Sequence, residues 1–224
     1  MLLLEKIIGL YAPHRCVACS GETNSLLCES CRETLPRVPS RCYRCRKVSR
    51  GYTTCSACKK RSPLQRVCVA VHYADEAKEL LHRVKYERAQ AGAADMANLF
   101  TPLIRHLPAD ALLVPIPTAT SRVRQRGYDQ AALLASQLAK LSGLSVAEAL
   151  ARQGQAHQVG ASRRERIRHL EGAFRVTRPA ALAGRHVVLV DDVLTTGATA
   201  ETAAHAVKAA GAKTVSALIY SQPD

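Results

Sequence analysis

Eight of the nine cysteines in this 224-residue chain fall into four C-x-x-C pairs, and all eight lie within the first 58 residues. The pairs are Cys16/Cys19, Cys28/Cys31, Cys42/Cys45 and Cys55/Cys58. A C-x-x-C turn sets two thiolates on one side of a tight loop, and two such turns complete a tetrahedral Cys₄ site for Zn²⁺. The simplest pairing is sequential, with Cys16, Cys19, Cys28 and Cys31 on one ion and Cys42, Cys45, Cys55 and Cys58 on the other. An interleaved pairing satisfies the same spacing. Disulfides require an oxidising compartment, and a thioredoxin-like redox site uses a single pair at a helix start, not four in series. Two structural zinc sites are therefore expected, with metal supplying much of the folding free energy of residues 16–58. The ninth, Cys68 in VCVAVHY, reads as a small core residue.

The opening MLLLEKIIGLY is interrupted by Glu5 and Lys6, and no small-residue cleavage site follows it. It reads as a short packing helix and not a secretory signal. No apolar run reaches the roughly 18–20 residues of a membrane span. A cytoplasmic location is expected. Composition adds a net charge of +14, concentrated near the cysteines, with aromatics at only 4% and no Trp. So few aromatics argue against an RNA reader built on base stacking. Arg41, Arg44, Arg46, Lys47 and Arg50, with Lys59, Lys60 and Arg61, either track a phosphate backbone or form the solvated face of a small module.

KKRSPLQR (59–66) reads as a linker, giving a zinc module at 1–62 and a second domain at 63–224. Beyond it, short apolar runs alternate with amphipathic ones. Strands are expected at 67–73, 111–117, near Val146, 186–192 and 214–220, and helices at 75–86, 91–106 with a break near Pro102, 128–141 and 199–210. A basic loop is expected after Pro117. Continuous apolar strands joined by helices imply parallel crossovers, hence an α/β doubly wound, mostly parallel sheet.

The run VVLVDDVLTTGAT (187–199) carries the strongest chemical signal. A buried strand ends in Asp191 and Asp192, then passes through Thr195, Thr196, Gly197, Ala198 and Thr199 into a helix. A small-residue turn at a helix N-terminus offers free amides to a phosphate monoester. The acids would repel that phosphate and must face something else, such as sugar hydroxyls. Phosphate on the turn and diol on the acids describe a ribose 5-phosphate site. Helix capping accounts for one Asp and one Thr, not for the whole run. No G-x-x-x-x-G-K-[ST] loop is present.

This run resembles the phosphoribosyl diphosphate (PRPP) motif of type I phosphoribosyltransferases. With the cysteine-rich N-terminus, the chain resembles the ComF family, which includes ComFC and GntX-like proteins of bacteria. VPIPTATSRVRQRGYDQ (114–130) resembles that family's P-x-P and R-G-[FY]-N-Q segment. QVGAS (158–162) and RIRHLEGAF (166–174) resemble its later motifs. Asp129, Ala161 and His169 stand where the family has Asn, Leu and Asn.

The resemblance implies a type I phosphoribosyltransferase-like domain behind a double zinc ribbon, binding PRPP or a related ribose phosphate with Mg²⁺. Asp191 and Asp192 would bind the ribose diol and stabilise the developing oxocarbenium ion, and residues 195–199 the 5-phosphate. Arg122, Arg124, Arg126 and Lys85 would face the diphosphate, Tyr86 would line the site, and 152–168 would either close over it as a lid or form a solvated helix. Asp129 would either weaken anion binding or recruit Mg²⁺, and His169 is either an acid–base group or a surface residue. The acceptor base, and whether transfer occurs at all, stay open. The family's tie to natural transformation implies single-stranded DNA, a competence helicase or other DNA-processing proteins as partners. The alternative is a non-catalytic zinc-ribbon protein that binds single-stranded DNA and uses the PRPP site for sensing.

Overall fold

The computed structural model describes residues 14–86, 91–153 and 172–223. The expected N-terminal packing helix and His169, Ala161 and the QVGAS segment lie outside the described residues, as does most of 152–168.

The cysteine-rich segment opens with a short antiparallel pair, β1 (His14–Arg15) and β2 (Glu22–Thr23). Helix α1 (Glu29–Thr34) and the single turn α2 (Ser56–Lys59) follow. Then come β3 (Leu64–His72), α3 (Asp75–Tyr86), α4 (Gly92–Asn98), α5 (Thr101–Ile104) and β4 (Leu112–Pro115). Next are α6 (Thr120–Arg126), α7 (Gln130–Ser142), β5 (Ser145–Val146) and β6 (Leu150–Arg152). The chain finishes with β7 (Phe174–Val176), α8 (Pro179–Leu182), β8 (His186–Val193), α9 (Ala198–Ala209) and β9 (Thr214–Gln222).

Five strands form one all-parallel sheet in the order β3-β9-β8-β4-β5, while β6 and β7 form a separate antiparallel ribbon. Alternate residues of β8 feed two different cores. Val187 and Leu189 pack with Ala200, Ala203 and Val207 of α9. Val188 and Val190 pack with Leu80, Met96 and Leu134 of α3, α4 and α7. Helices therefore cover both faces, which is why the strands read as continuous apolar runs.

From β4 the chain moves sideways to β5, then crosses back to β8 and β9. The direction of winding reverses between β4 and β8. Open parallel sheets hold ligands in the crevice at such a point, beyond the carboxyl ends of the strands.

Three local differences from the sequence reading have simple causes. Strand β3 begins at Leu64, inside the supposed linker, because Leu64 is fully buried against the α9 face. The helix expected over 91–106 is two helices, with Pro102 in the first turn of α5, where its missing N–H costs nothing. The supposed basic loop contains α6, stopped by Gly127 in the left-handed conformation at φ 85°.

The cysteine-rich segment does not stand apart. It straddles the β3 edge and enters both cores. Leu26, Leu27 and Leu35 join the α3/α4 side, and Val38 and Tyr43 join the α9 side. Arg37 bridges to Val71, Thr53 bridges to Arg66, and the His72 N–H donates to the Pro36 carbonyl at 3.1 Å. The segment thus covers an edge that would otherwise be open to pairing. Each buried Leu or Val adds about 1.5–3 kcal/mol of burial energy, so metal is not the segment's sole support.

Candidate functional site

The eight paired cysteines form two groups with the sequential pairing, Cys16/Cys19/Cys28/Cys31 and Cys42/Cys45/Cys55/Cys58. Within each group every sulfur lies within 4.8 Å of the others. The Cys19–Cys28 sulfurs are 3.9 Å apart and the Cys45–Cys55 sulfurs 3.6 Å apart. A tetrahedron with Zn–S bonds of about 2.3 Å has edges of about 3.8 Å, so both groups fit the ion. The thiols also divide in proton affinity. Burial raises Cys16 and Cys42, but amide hydrogen bonds outweigh it and bring each down to about 6. Hydrogen bonds, led by that from Cys28, push Cys31 up to about 12; burial and its partner thiols push Cys58 up to about 12. A cation relieves that conflict. Cys68 takes no part: it is fully buried, and burial holds its thiol at about 12.

A second feature lies at the β4/β8 reversal. A cleft of ≈ 260 Å³ is lined by residues from the ends of both strands, including Pro117, Thr118, Asp191 and Asp192, and by Lys85, Arg122, Arg126, Gln130 and Arg152. Asp192 pairs with Lys85 at 2.6 Å, and its N–H donates to Asp191 Oδ1 at 2.8 Å. Burial, with the Asp192 charge beside it, pushes the Asp191 carboxyl well above the carboxylate range. The ion pair with Lys85 serves Asp192, and Asp191 stays buried beside it.

The opposite wall is cationic. Arg126, the last residue of α6, is 7% exposed, and Gln130, in the first turn of α7, is 5% exposed. Arg126 Nη1 donates to Gln130 Oε1 at 2.5 Å, and its guanidinium lies 5.1 Å from the Tyr86 ring centre. Among the described residues nothing accepts from Arg126 Nε or Gln130 Nε2. An unmet buried donor costs about 1–3 kcal/mol, and here there are two on residues that line one cleft. Arg152 adds a further cation: burial lowers its proton affinity, which nearby Asp191 raises again.

The turn after β8 has Gly197 at φ 80°, the left-handed region that favours glycine. Among the described residues no acceptor takes the N–H of Thr195, Thr196 or Gly197, while Ala198 donates to Thr196 Oγ1 at 3.3 Å. These amides stand at the N-terminus of the twelve-residue helix α9. Of the turn residues Thr199 lines the cleft; Thr195 is exposed beside it.

The structure thus brings together Asp191, Asp192, Lys85, Arg122, Arg126 and Thr199. It leaves Arg124 exposed on α6 and outside the cleft lining. Tyr86 is set beneath the Arg126 guanidinium. Asp129 does not line the cleft: its carboxylate caps α7 through Ala131 N and Ala132 N and accepts from Thr118 N at 2.8 Å. It is a hinge pin for the P-I-P-T loop. Gln130 and Arg152 are cleft residues that the sequence presents only as the end of the 114–130 motif and the start of the 152–168 stretch, with no site role of their own. Gln130 ends the R-G-Y-D-Q segment, where adjacency to Arg126 on a helix–turn–helix was the available signal.

A phosphoribosyl transferase domain model matches residues 123–222, the segment that carries Arg126, Gln130, Arg152, Asp191, Asp192 and Thr199 of the cleft lining. Over 211 residues the chain is 31% identical to the DNA utilization protein YhgH of Escherichia coli, covering 89% of this chain and 86% of that protein. It is 30% identical to the competence protein ComFC of Bacillus subtilis, over 80% of this chain and 76% of the other. The chain belongs to the ComF family. Another relative is competence protein F of Haemophilus influenzae, 27% identical over 83% of this ComF-family chain and 86% of that one. Among solved structures, glutamine PRPP amidotransferase from B. subtilis is 16% identical with a TM-score of 0.43; the match covers 63% of this chain and 30% of that one. TT1426 from Thermus thermophilus is 22% identical with a TM-score of 0.33, over 60% of this chain and 83% of that one. No helix among the described residues is long and apolar enough to cross a membrane.

Proposed function

We propose that the β4/β8 cleft binds PRPP, or a closely related ribose 5-phosphate, together with Mg²⁺. The observation that carries this reading is what the crevice brings together: Thr199 beside a turn with unclaimed amides, Asp191 and Asp192, and two buried donors without acceptors on Arg126 and Gln130. A phosphate, a diol and a diphosphate present groups complementary to these three. Residues 195–199 hold the 5-phosphate, the two acids accept from the ribose hydroxyls, and Arg126 with Arg122 and Gln130 donates to the diphosphate. Lys85 pairs with Asp192 and orients it. The hard oxygen donors of Asp191 and Asp192 suit Mg²⁺, which when bound supplies charge neutralisation for the diphosphate. If the diphosphate leaves, the same acids sit where an oxocarbenium-like charge develops. The chain itself points to no acceptor base.

The two Cys₄ groups hold structural zinc in this reading, since four thiolates leave no open coordination position. The relatives' names place the family in DNA utilization and competence, and this chain is assigned a part in DNA uptake with a DNA-processing partner. Exposed Lys47, Arg50, Lys59, Lys60 and Arg61 around the second Cys₄ group favour contact with single-stranded DNA as well. If so, DNA affinity falls steeply with salt.

Calorimetry with PRPP and Mg²⁺ tests the ligand. The wild type is expected to bind, and the double variant Asp191→Asn/Asp192→Asn to give no heat while keeping its fold. Equal affinity in both refutes the site. Asp191→Asn alone also carries a stability signature. Its raised folded pKa means that the charged form strains the fold, so the group's contribution is greatest below the ordinary 3.8 and is lost as pH rises through the raised value. Without ligand, Asp191→Asn is therefore expected to melt higher than wild type at pH 7. A lower melting temperature contradicts this account of the acid pair.

A further inference from the structure

The second Cys₄ group is wired to the turn after β8. Its first knuckle, closed by Cys42 N–H to Lys47 O at 2.8 Å and Arg46 N–H to Cys42 O at 2.9 Å, holds two residues between ligands: Tyr43 and Arg44. Tyr43 Oη donates to Glu201 Oε1 at 2.5 Å, in the first turn of α9. Tyr43 Oη also lies 2.5 Å from Ser62 Oγ, which accepts from Leu64 N–H at 3.1 Å. Arg44 Nη1 pairs with Glu201 Oε1 at 3.1 Å and also donates to the Arg61 carbonyl. Arg61 follows Cys58 by three residues, so Arg44 ties both halves of the metal group to one acid. Glu201 N–H in turn donates to the Gly197 carbonyl at 2.9 Å. The Tyr43 ring lies so close to Gly197 that an added Cβ would sit 3.0 Å from a ring carbon. Tyr43 and Glu201 are only 7% and 8% exposed.

From this geometry we infer that Tyr43 and Arg44 are positioning residues for the turn at 195–199, and that metal in the second Cys₄ group sets anion affinity in the cleft. The physical reason is order. When one ion holds Cys42 and Cys45, the two residues between them have a single arrangement. That arrangement fixes Glu201 and the floor beneath Gly197, and so keeps the turn's amides converged. Neither residue lines the cleft. Without metal, four adjacent thiols have no reason to stay together, and the turn loses its clamp. The ligand half of this inference rests on the PRPP reading; the clamp itself does not.

The test uses the full chain. Tyr43→Phe keeps the ring beneath Gly197 and removes the hydroxyl, whereas Tyr43→Leu removes both. Each variant is first checked for two zinc ions per chain and an intact melt. Amide hydrogen exchange over residues 194–200 is then measured without ligand, followed by calorimetry with PRPP and Mg²⁺. Exchange is expected to speed up in Tyr43→Phe and more so in Tyr43→Leu, with strand β4 unchanged. PRPP affinity falls about tenfold in Tyr43→Phe, the range of a lost hydrogen bond to a charged group. Removing the second group's zinc through Cys42→Ser/Cys45→Ser gives the same pattern at greater amplitude. Unchanged exchange at 194–200 in Tyr43→Leu overturns the clamp. If the wild type binds no PRPP, the ligand reading fails by itself, and the exchange data still decide the coupling.

Discussion

The two Cys₄ groups have the same ligands and the same C-x-x-C turns, yet they lean on opposite faces of the sheet. The first packs through Leu26 and Leu27 on α3 and α4, away from the cleft lining. The second packs through Tyr43 on α9 and the turn beside the cleft. Each is moored by one buried acid: Asp95 accepts from Leu26 N–H at 2.8 Å, and Glu201 accepts from Tyr43 Oη at 2.5 Å. Each also approaches one glycine. A Cβ on Gly92 would lie 2.9 Å from Leu26, and a Cβ on Gly197 would lie 3.0 Å from Tyr43. Two groups with identical donor sets thus stand in different surroundings, one within the α3/α4 core and one against α9 and the turn beside the cleft.

Removing ligands gives the largest separation. Cys16→Ser/Cys19→Ser and Cys42→Ser/Cys45→Ser are each expected to leave about one zinc per chain, against two for wild type, and to lower the melting temperature by many degrees. Structural zinc supplies roughly 10 kcal/mol or more in isolated fingers, so neither loss is minor. PRPP affinity distinguishes them: it survives the first double variant within about threefold and collapses in the second. Equal collapse in both would show that the groups act only by holding up the sheet.

The glycines give the next effect. Gly92→Ala drives a methyl into Val84 at 2.7 Å, with Leu26 and Leu80 close behind, all three in a tight core. Overpacking of this kind costs about 1–3 kcal/mol. Gly197→Ala meets the Tyr43 ring and must also hold φ at 80°, adding about 1 kcal/mol of backbone strain. Chemical denaturation should show losses of similar size. Calorimetry should show lost PRPP binding for Gly197→Ala alone, and a ligand defect of equal depth in Gly92→Ala would erase the distinction.

Much of this was legible in the residues. The C-x-x-C spacing announced two tetrahedral sites, and the run 187–199 announced a strand, an acid pair, a turn and a helix, because each is written in consecutive positions. Asp75–Tyr86 came out complete, since Ala77, Leu80, Leu81 and Val84 follow the helical period and are its buried residues. What stayed hidden joins distant positions. Tyr43 meets Glu201 across 158 residues, and Leu26 meets Asp95 across 69. No local pattern encodes such contacts, so the sequence shows a zinc module at 1–62 but not its packing into both cores. The ribbon of β6 and β7 was missed because three-residue strands leave no period to detect. In the sequence Arg122, Arg124 and Arg126 all fall in one basic run assigned to the diphosphate, Arg126 being the best match to the family motif. As a helix, α6 turns Arg122 and Arg126 into the cleft and Arg124 to solvent.

The buried acids give the smallest and finest contrast. Burial pushes the Asp95 carboxyl above its ordinary 3.8, although the amides of Leu26 and Leu27 oppose it. An acid with a raised folded pKa favours the fold most below its unfolded value, and that help is lost as pH rises through the folded value. Asp95→Asn still offers an oxygen to Leu26 N–H and no longer titrates. Its stability should therefore be flatter than wild type from about pH 4 upward, and within about 1 kcal/mol of it at pH 7. Glu201→Gln also keeps an acceptor for Tyr43, but it deprives Arg44 of its counter-charge in a nearly dry setting. The cost there is expected to be larger, about 2 kcal/mol, because a half-buried cation keeps acceptors but loses its counter-charge. PRPP affinity should drop in Glu201→Gln and hold in Asp95→Asn. Were the Asp95 variant the one to lose ligand, the route from metal to cleft would run through α4, and the assignment of the two groups would have to be reversed.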